Sequence, residues 1–225
     1  MLQFLQNSAL ALLAAAAVAY LCGSVSFAII VTKLFSNKDI RDFGSGNAGA
    51  TNVLRSQGKI PAILTTVGDL AKSGLAVYLG GVLLNSWQSH PYDGVDTLTL
   101  GLVGAYTAGL FCILGHMFPL FFGFRGGKGV MTTLGMMLML DWKAALVLLA
   151  LFIVIVLYTR MVSLGSIAAA IGLPIATFVF RAYVYRQPMS LVWFCTAVMI
   201  IISAIVIVRH RSNIKRILQG TENKI

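Results

Sequence analysis

Long apolar runs separated by short polar turns make up most of this chain. A helix that crosses a bilayer needs about 20 mostly apolar residues. The runs Ser8–Val31, Ile60–Leu84, Thr97–Phe122, Met161–Phe180 and Met189–Val208 have that length. Ala144–Tyr158 is shorter, and Val130–Leu140 is about half a span, divided from it by the turn Asp141-Trp142-Lys143. The pattern predicts an all-α integral membrane protein of about seven transmembrane helices, forming a single domain over residues 1–225. The fourth run either crosses as a short helix or merges with the fifth into one long bent helix.

Charge in the loops separates these alternatives. Cytoplasmic loops carry an excess of Lys and Arg. With seven crossings and the N-terminus outside, segments 32–59, 123–129, 159–160 and 209–225 share the cytoplasmic side and hold 13 of the 17 Lys and Arg residues. Lys143, Arg181 and Arg186 fall outside, and Lys72 falls within a span. Six crossings would put the basic clusters at 32–59 and 209–225 on opposite faces. The expectation is therefore seven helices, a cytoplasmic C-terminus and polar glycine-rich cytoplasmic loops. The segment Ser86–Asp96, which has no Lys or Arg, would face the other way.

Composition agrees: 58% of residues are hydrophobic and 11% charged, against about 25% charged in a soluble domain. The net charge of +10 suits anionic lipid and anionic substrates. Nucleic acid is not expected, because the basic residues are scattered over short loops. Cys22, Cys112 and Cys195 sit in separate apolar runs with no ligand spacing, so they imply neither metal nor cofactor. No Lys or Arg precedes Lys33, so the first run lacks a basic signal-peptide segment and is read as a retained helix.

Within this apolar chain the stretch Phe43–Arg55 is polar, small and glycine-rich. Gly44, Gly46 and Gly49 are expected to expose backbone N–H groups and to allow positive φ. Ser45, Asn47, Thr51 and Asn52 add side-chain donors, and Arg55 adds a planar fork for two oxyanion oxygens. Gly44-x-Gly46-x-x-Gly49, with Asp69 twenty residues on, formally matches a dinucleotide fingerprint. No strand precedes it and no βαβ pattern surrounds it, so it is not one. Gly126-Gly127-Lys128-Gly129 resembles a fragment of a P-loop, but Phe122 stands where a glycine is needed and Gly129 where Ser or Thr is needed. What remains is a lysine among glycines at the start of an apolar run, which is either an anion site or a flexible turn.

Other polar residues stand out against the apolar background. Asp69 and Lys72 lie inside the second span, three residues apart, where charges are costly and can pair. They either brace the polar loop or touch substrate. His116 ends the third span and reads as an interfacial or packed residue. Ser163 and Ser166 lie one turn apart at the start of the sixth span, as two hydroxyls on a face or as small residues for packing. His210, Asn213 and Arg216 share a helical face in the basic tail, which either orients substrate or binds anionic headgroups.

Together these pieces resemble a known family. Gly44–Arg55, Gly115-His-Met-Phe-Pro119, Phe124-Arg-Gly-Gly-Lys-Gly-Val130 and His210-x-x-Asn-Ile-x-Arg-x-x-x-Gly-x-Glu222 look like the bacterial acyl-phosphate:glycerol-3-phosphate acyltransferases. The resemblance spans the whole chain. Ala48 stands where the family often has Pro, and Met131 where a small residue is usual. The resemblance implies acyl transfer from acyl phosphate to the 1-hydroxyl of glycerol 3-phosphate at the cytoplasmic face of the bacterial inner membrane. It implies no covalent acyl-enzyme, with a substrate phosphate as base. Ser45, Arg55, Lys128, His210 and Asn213 would be catalytic. Gly44, Gly46, Asn47, Thr51, Asn52, Gly126, Gly127, Gly129, Ser163 and Ser166 would bind substrate. Asp69, Lys72, His116, Arg216 and Glu222 would be structural or supporting. The implied partners are the two substrates, membrane lipid and the soluble enzyme that makes acyl phosphate. A transporter fits less well, because no inverted repeat is present and the polar residues gather on one side instead of at the midplane. A non-catalytic scaffold binding anionic lipid through the basic tail would leave the glycine loops unexplained.

Overall fold

The computed structural model describes residues 8–87 and 96–224. Among these residues all regular structure is helical. The chain forms two compact units, Met1–Leu140 and Asp141–Ile225. Six helical segments are long and apolar enough to cross a membrane: Ala9–Ser36, Lys59–Ser86, Thr97–Phe122, Trp142–Thr159, Val162–Val184 and Met189–Arg209. Most of the charge-poor segment 86–96 lies outside the described residues.

In the first unit the opening span is broken. Helix α1 (Ala9–Ser24) and helix α2 (Phe27–Ser36) are separated by extended backbone at Val25 and Ser26. Ser24 sits at the break; its Oγ donates to Tyr20 O at 2.9 Å and accepts from Leu120 N–H at 3.2 Å. A hydroxyl bonded back to the carbonyl four residues earlier bends helices. The break deprives the Val25 carbonyl of a helical partner, which is costly away from water. Lys72 Nζ donates to that carbonyl at 2.8 Å. Lys72 belongs to α4 (Lys59–Trp87), which follows the short α3 (Ala50–Gln57).

Helix α4 packs against α5 (Thr97–Met117) through small residues. A Cβ on Gly104 would overlap the Gly80 carbonyl oxygen and lie 2.8 Å from Leu84 Cβ. A Cβ on Gly80 would overlap Ala108 in return. Backbones in direct contact are how helices associate in lipid, where there is little hydrophobic drive between them. Helix α6 (Val130–Leu140) has 11 residues, about 16 Å at the usual rise, against a hydrocarbon core of about 30 Å. It therefore reaches only half of a straight crossing.

The second unit holds α7 (Trp142–Thr159), α8 (Val162–Val179), α9 (Met189–Arg209) and α10 (Arg211–Leu218). Helices α6 and α7 do not merge into one bent helix, because Asp141 caps α7. Its Oδ1 accepts from Ala144 N–H at 3.0 Å and from the Tyr185 hydroxyl at 3.0 Å. The expected turn at 141–143 thus shrinks to one capping residue. Helix α8 runs on past Phe180 through a π-turn to Val184, so the sixth run is longer than its apolar stretch.

Gly104→Val should lower the thermal midpoint in detergent, by the equivalent of about 1–3 kcal/mol for overpacking a close contact. Gly74→Ala, whose added methyl meets only the Met139 side chain at 3.4 Å, should be nearly neutral in the same melt. Equal melting for the two variants would contradict the backbone contact.

Candidate functional site

The glycine-rich stretch begins with a 3-10 turn, Ile40–Asp42, capped by Asp39. Asp39 Oδ1 accepts from Arg41 N–H at 2.9 Å and Nε at 3.0 Å, and Oδ2 accepts from Nη2 at 2.8 Å. The Arg41 guanidinium hydrogen bond, with the Arg41 backbone N–H and then its charge, outweighs burial and holds the Asp39 carboxyl below the usual range. Gly44 and Gly46 adopt φ of +54° and +68°, which glycine does at no steric cost. These two reversals turn the chain toward Gly49, which caps α3.

The loop is built around Asn52. This residue is 4% exposed, and its amide nitrogen donates to Phe43 O at 2.9 Å, Asn47 O at 3.1 Å and Ile40 O at 3.2 Å. Its Oδ1 accepts from Ser45 N–H at 3.2 Å. Asn52 is thus the internal staple of the loop. The expectation of exposed glycine amides is corrected. Gly46 N–H donates to Phe43 O at 2.9 Å and Gly49 N–H to Asn47 O at 3.0 Å. These glycines serve the path of the backbone more than they serve as donors. Ser45 and Arg55 keep exposed side chains, while Asn47 and Thr51 are half-buried.

A second glycine loop, Gly126–Gly129, packs against the first. Gly126 N–H donates to Met117 O at 3.1 Å and Gly127 N–H to His116 O at 3.2 Å. Those two carbonyls end α5, so the loop folds back on that helix. A Cβ on Gly127 would overlap the His116 ring and lie 2.6 Å from Ala48 O in the first loop. Gly129, at φ +83°, leads into α6, and Lys128 is half-buried beside it. Arg41 joins the two loops from the other side: its Nη1 donates to Phe122 O at 2.6 Å and to Arg125 O at 3.4 Å. The sequence reading missed this residue; the local pair Asp39-x-Arg41 was the available signal.

Beneath the second loop lie Asp69, Lys72 and His116, at 1%, 6% and 5% exposure. Lys72 Nζ is 2.8 Å from Asp69 Oδ1, 2.8 Å from Val25 O and 2.9 Å from His116 Nδ1. The Val25 carbonyl and His116 Nδ1 are hydrogen-bond partners of the ammonium, and Asp69 supplies its counter-charge. Of the two alternatives for Asp69 and Lys72, the geometry supports an internal brace.

In the second unit Glu222 gathers the tail. Its Oε1 accepts from Ser163 Oγ at 2.9 Å and Asn213 Nδ2 at 2.7 Å, and its Oε2 accepts from Arg216 Nε at 2.8 Å. Ser166 Oγ donates within α8 to Val162 O at 2.9 Å. His210 is buried, with Nδ1 2.8 Å from Val206 O. His210 is the turn residue that precedes α10, Asn213 and Arg216 lie on α10, and Glu222 fastens the last two. No cluster of three His, Cys, Asp or Glu side chains that could hold a metal occurs among the described residues.

Burial alone would push the Glu222 carboxyl up, but hydrogen bonds from Asn213, Arg216 and Ser163, with the Arg216 charge, outweigh it and hold it below the usual 4.5. A carboxyl depressed in the folded state stabilises above its unfolded value, and that stability is lost as pH falls through the folded value. Glu222→Gln should therefore melt lower than the wild type at pH 7. The gap should close as pH falls below about 4.5. A gap that stays constant down to pH 3 would overturn the linkage.

Comparison with known proteins adds the family. Residues 13–220 match the family described as glycerol-3-phosphate acyltransferase. The chain is 42% identical over 211 residues to the glycerol-3-phosphate acyltransferase of Neisseria meningitidis serogroup B, covering 94% of this chain and 96% of that one. It is 41% identical over 225 residues to that of Jannaschia sp., covering 100% and 98%. A crystal structure of PlsY (YgiH), an integral membrane glycerol 3-phosphate acyltransferase in its glycerol 3-phosphate form, superposes with a TM-score of 0.73 at 36% identity, over 95% of each chain. Its lysophosphatidic acid form superposes with a TM-score of 0.71. The identities run the length of the chain, and the chain belongs to the glycerol-3-phosphate acyltransferase family.

Proposed function

We propose that this protein transfers a fatty acyl group from acyl phosphate to the 1-hydroxyl of sn-glycerol 3-phosphate, giving 1-acyl-glycerol 3-phosphate and inorganic phosphate. The observation that carries the reading is the docking of two glycine loops that present Ser45, Arg55 and Lys128 from one unit. Both substrates are phosphates, and a fixed lysine and arginine are the groups that hold them. The comparison structures described with glycerol 3-phosphate and with lysophosphatidic acid support the same substrate and product class.

Acyl phosphate is a mixed anhydride and already activated. The C1 hydroxyl oxygen attacks the acyl carbon, negative charge collects on the carbonyl oxygen, and the bond from carbon to the phosphate oxygen then breaks. Phosphate leaves, and the hydroxyl proton passes to a substrate phosphate. No enzyme nucleophile is needed, and no covalent acyl-enzyme forms. In this reading Ser45 steadies the developing oxyanion, and Arg55 and Lys128 neutralise phosphate charge. Gly126, Gly127 and Gly129 shape the glycerol 3-phosphate subsite, with Gly44, Gly46, Asn47 and Thr51 lining the first loop. The reading assigns His210 and Asn213 to substrate orientation and Glu222 to holding the tail. The orientation proposed from loop charge is N-terminus outside, with these loops facing the cytoplasm of a bacterial inner membrane.

Ser45→Ala should lower kcat by about a hundredfold or more, the usual effect of removing an oxyanion donor. Arg55→Ala and Lys128→Ala should each raise KM for a phosphate substrate about tenfold or more, since a hydrogen bond to a charged group contributes about 1.5–3 kcal/mol. Phosphate release on mixing purified protein with both substrates measures this. Near wild-type rates in all three variants would sink the assignment. Replacing acyl phosphate by an acyl-CoA of the same chain should abolish turnover, and equal turnover would overturn the donor.

A further inference from the structure

The buried group under the second loop has a use that an ion pair alone does not explain. An ammonium carries no lone pair, so Lys72 can only donate to His116 Nδ1 at 2.9 Å. That contact makes Nδ1 an acceptor and leaves the ring proton on Nε2. The Nε2 edge is directed at Gly127, where a Cβ would overlap it. The same point lies 2.6 Å from Ala48 O, so the carbonyl of the first loop converges there too. The ring Nε2 and the Ala48 carbonyl thus converge on the same side of Gly127, where a ring N–H would meet an acceptor. A flipped ring or the opposite tautomer would place a lone pair there instead. A hydrogen bond from the Lys72 cation also polarises the ring and strengthens its remaining N–H as a donor. His116 fixes the second loop through its main chain as well, its carbonyl accepting from Gly127 N–H at 3.2 Å.

We propose that His116 is a positioning residue: Lys72, held in place by its ion pair with Asp69, sets its tautomer, and its Nε2–H docks the Gly126–Gly129 loop against the Gly44–Gly49 loop. The intramembrane ion pair then serves the phosphate site without touching substrate. The role rests on the reading of the Lys128 loop as the glycerol 3-phosphate subsite. The two ring nitrogens do different jobs, and that difference makes the role testable. His116→Asn places an acceptor near Nδ1 for Lys72 but does not reach Gly127. His116→Gln extends an amide donor to the Nε2 position.

The experiment measures kcat and KM for glycerol 3-phosphate at saturating acyl phosphate, with thermal melts, on purified full-length protein in detergent. His116→Asn should raise KM about five- to tenfold, the equivalent of one lost hydrogen bond. Its kcat and melting midpoint should stay close to the wild type. His116→Gln should bring KM back toward the wild-type value. A merely structural histidine would instead lower the folded fraction, which reduces kcat and leaves KM unchanged; that result overturns the proposal. So does an equal KM in the Asn and Gln variants, or failure of both to fold. Lys128→Ala, measured alongside, separates the two claims. A raised KM there with an unchanged KM in His116→Asn overturns the positioning role alone. An unchanged KM in Lys128→Ala overturns the subsite assignment beneath it.

Discussion

One ammonium group holds the first unit together. Lys72 sits within a span, where an unpaired charge would be costly, and it meets three acceptors from three elements: Asp69 on its own helix, the Val25 carbonyl at the break in the first span, and His116 at the end of α5. Each acceptor needs the lysine as much as the lysine needs it. Without it the Val25 carbonyl has no donor in a place with no water, and Asp69 is a lone buried anion. The broken helix, the end of α5 and the loop packed on that end are therefore a single problem with one solution.

The glycines follow from the same geometry. Gly104 and Gly80 bring α4 and α5 into backbone contact, and so place Lys72 and His116 within reach of each other. Gly127 meets the Nε2 edge of the His116 ring closely, and any side chain there would occupy the same space. Composition alone suggests glycines as phosphate donors. In the structure several of their amides are spent on carbonyls inside the loops, while Ser45 and Arg55 keep exposed side chains and Lys128 is half-buried. The loops are held by their own hydrogen bonds and so mount these few side chains on a fixed backbone.

The two units share one device: a single charged group that accepts or donates several hydrogen bonds and so fixes segments distant in sequence. Arg41, braced by Asp39, ties the 40–46 turn to the 122–125 turn. Glu222 ties Ser163 of α8 to Asn213 and Arg216 of α10. In both cases the charge is satisfied within the fold itself.

Much of this was legible in the residues. The apolar runs determined helices long enough for a bilayer, because hydrocarbon leaves the backbone no other partner. The polar islands at 43–55, 126–129 and 210–222 stood out against the apolar runs, and the structure folds the first two against one another. Spacing sufficed for the Asp69 and Lys72 pair, three residues apart on one helix. It could not assign the third and fourth members, His116 and the Val25 carbonyl, since these are brought in by helix packing from 44 and 47 residues away. Nor could it separate Asn52, folded inward as a staple, from Ser45, which faces out; both are small polar residues in one loop. Whether α6 and α7 merge turned on Asp141, whose capping role depends on Ala144 and Tyr185. Local pattern determines which residues must be buried or helical. Only the tertiary structure decides which buried polar group answers which, because that pairing depends on contacts between segments that the order of residues does not encode.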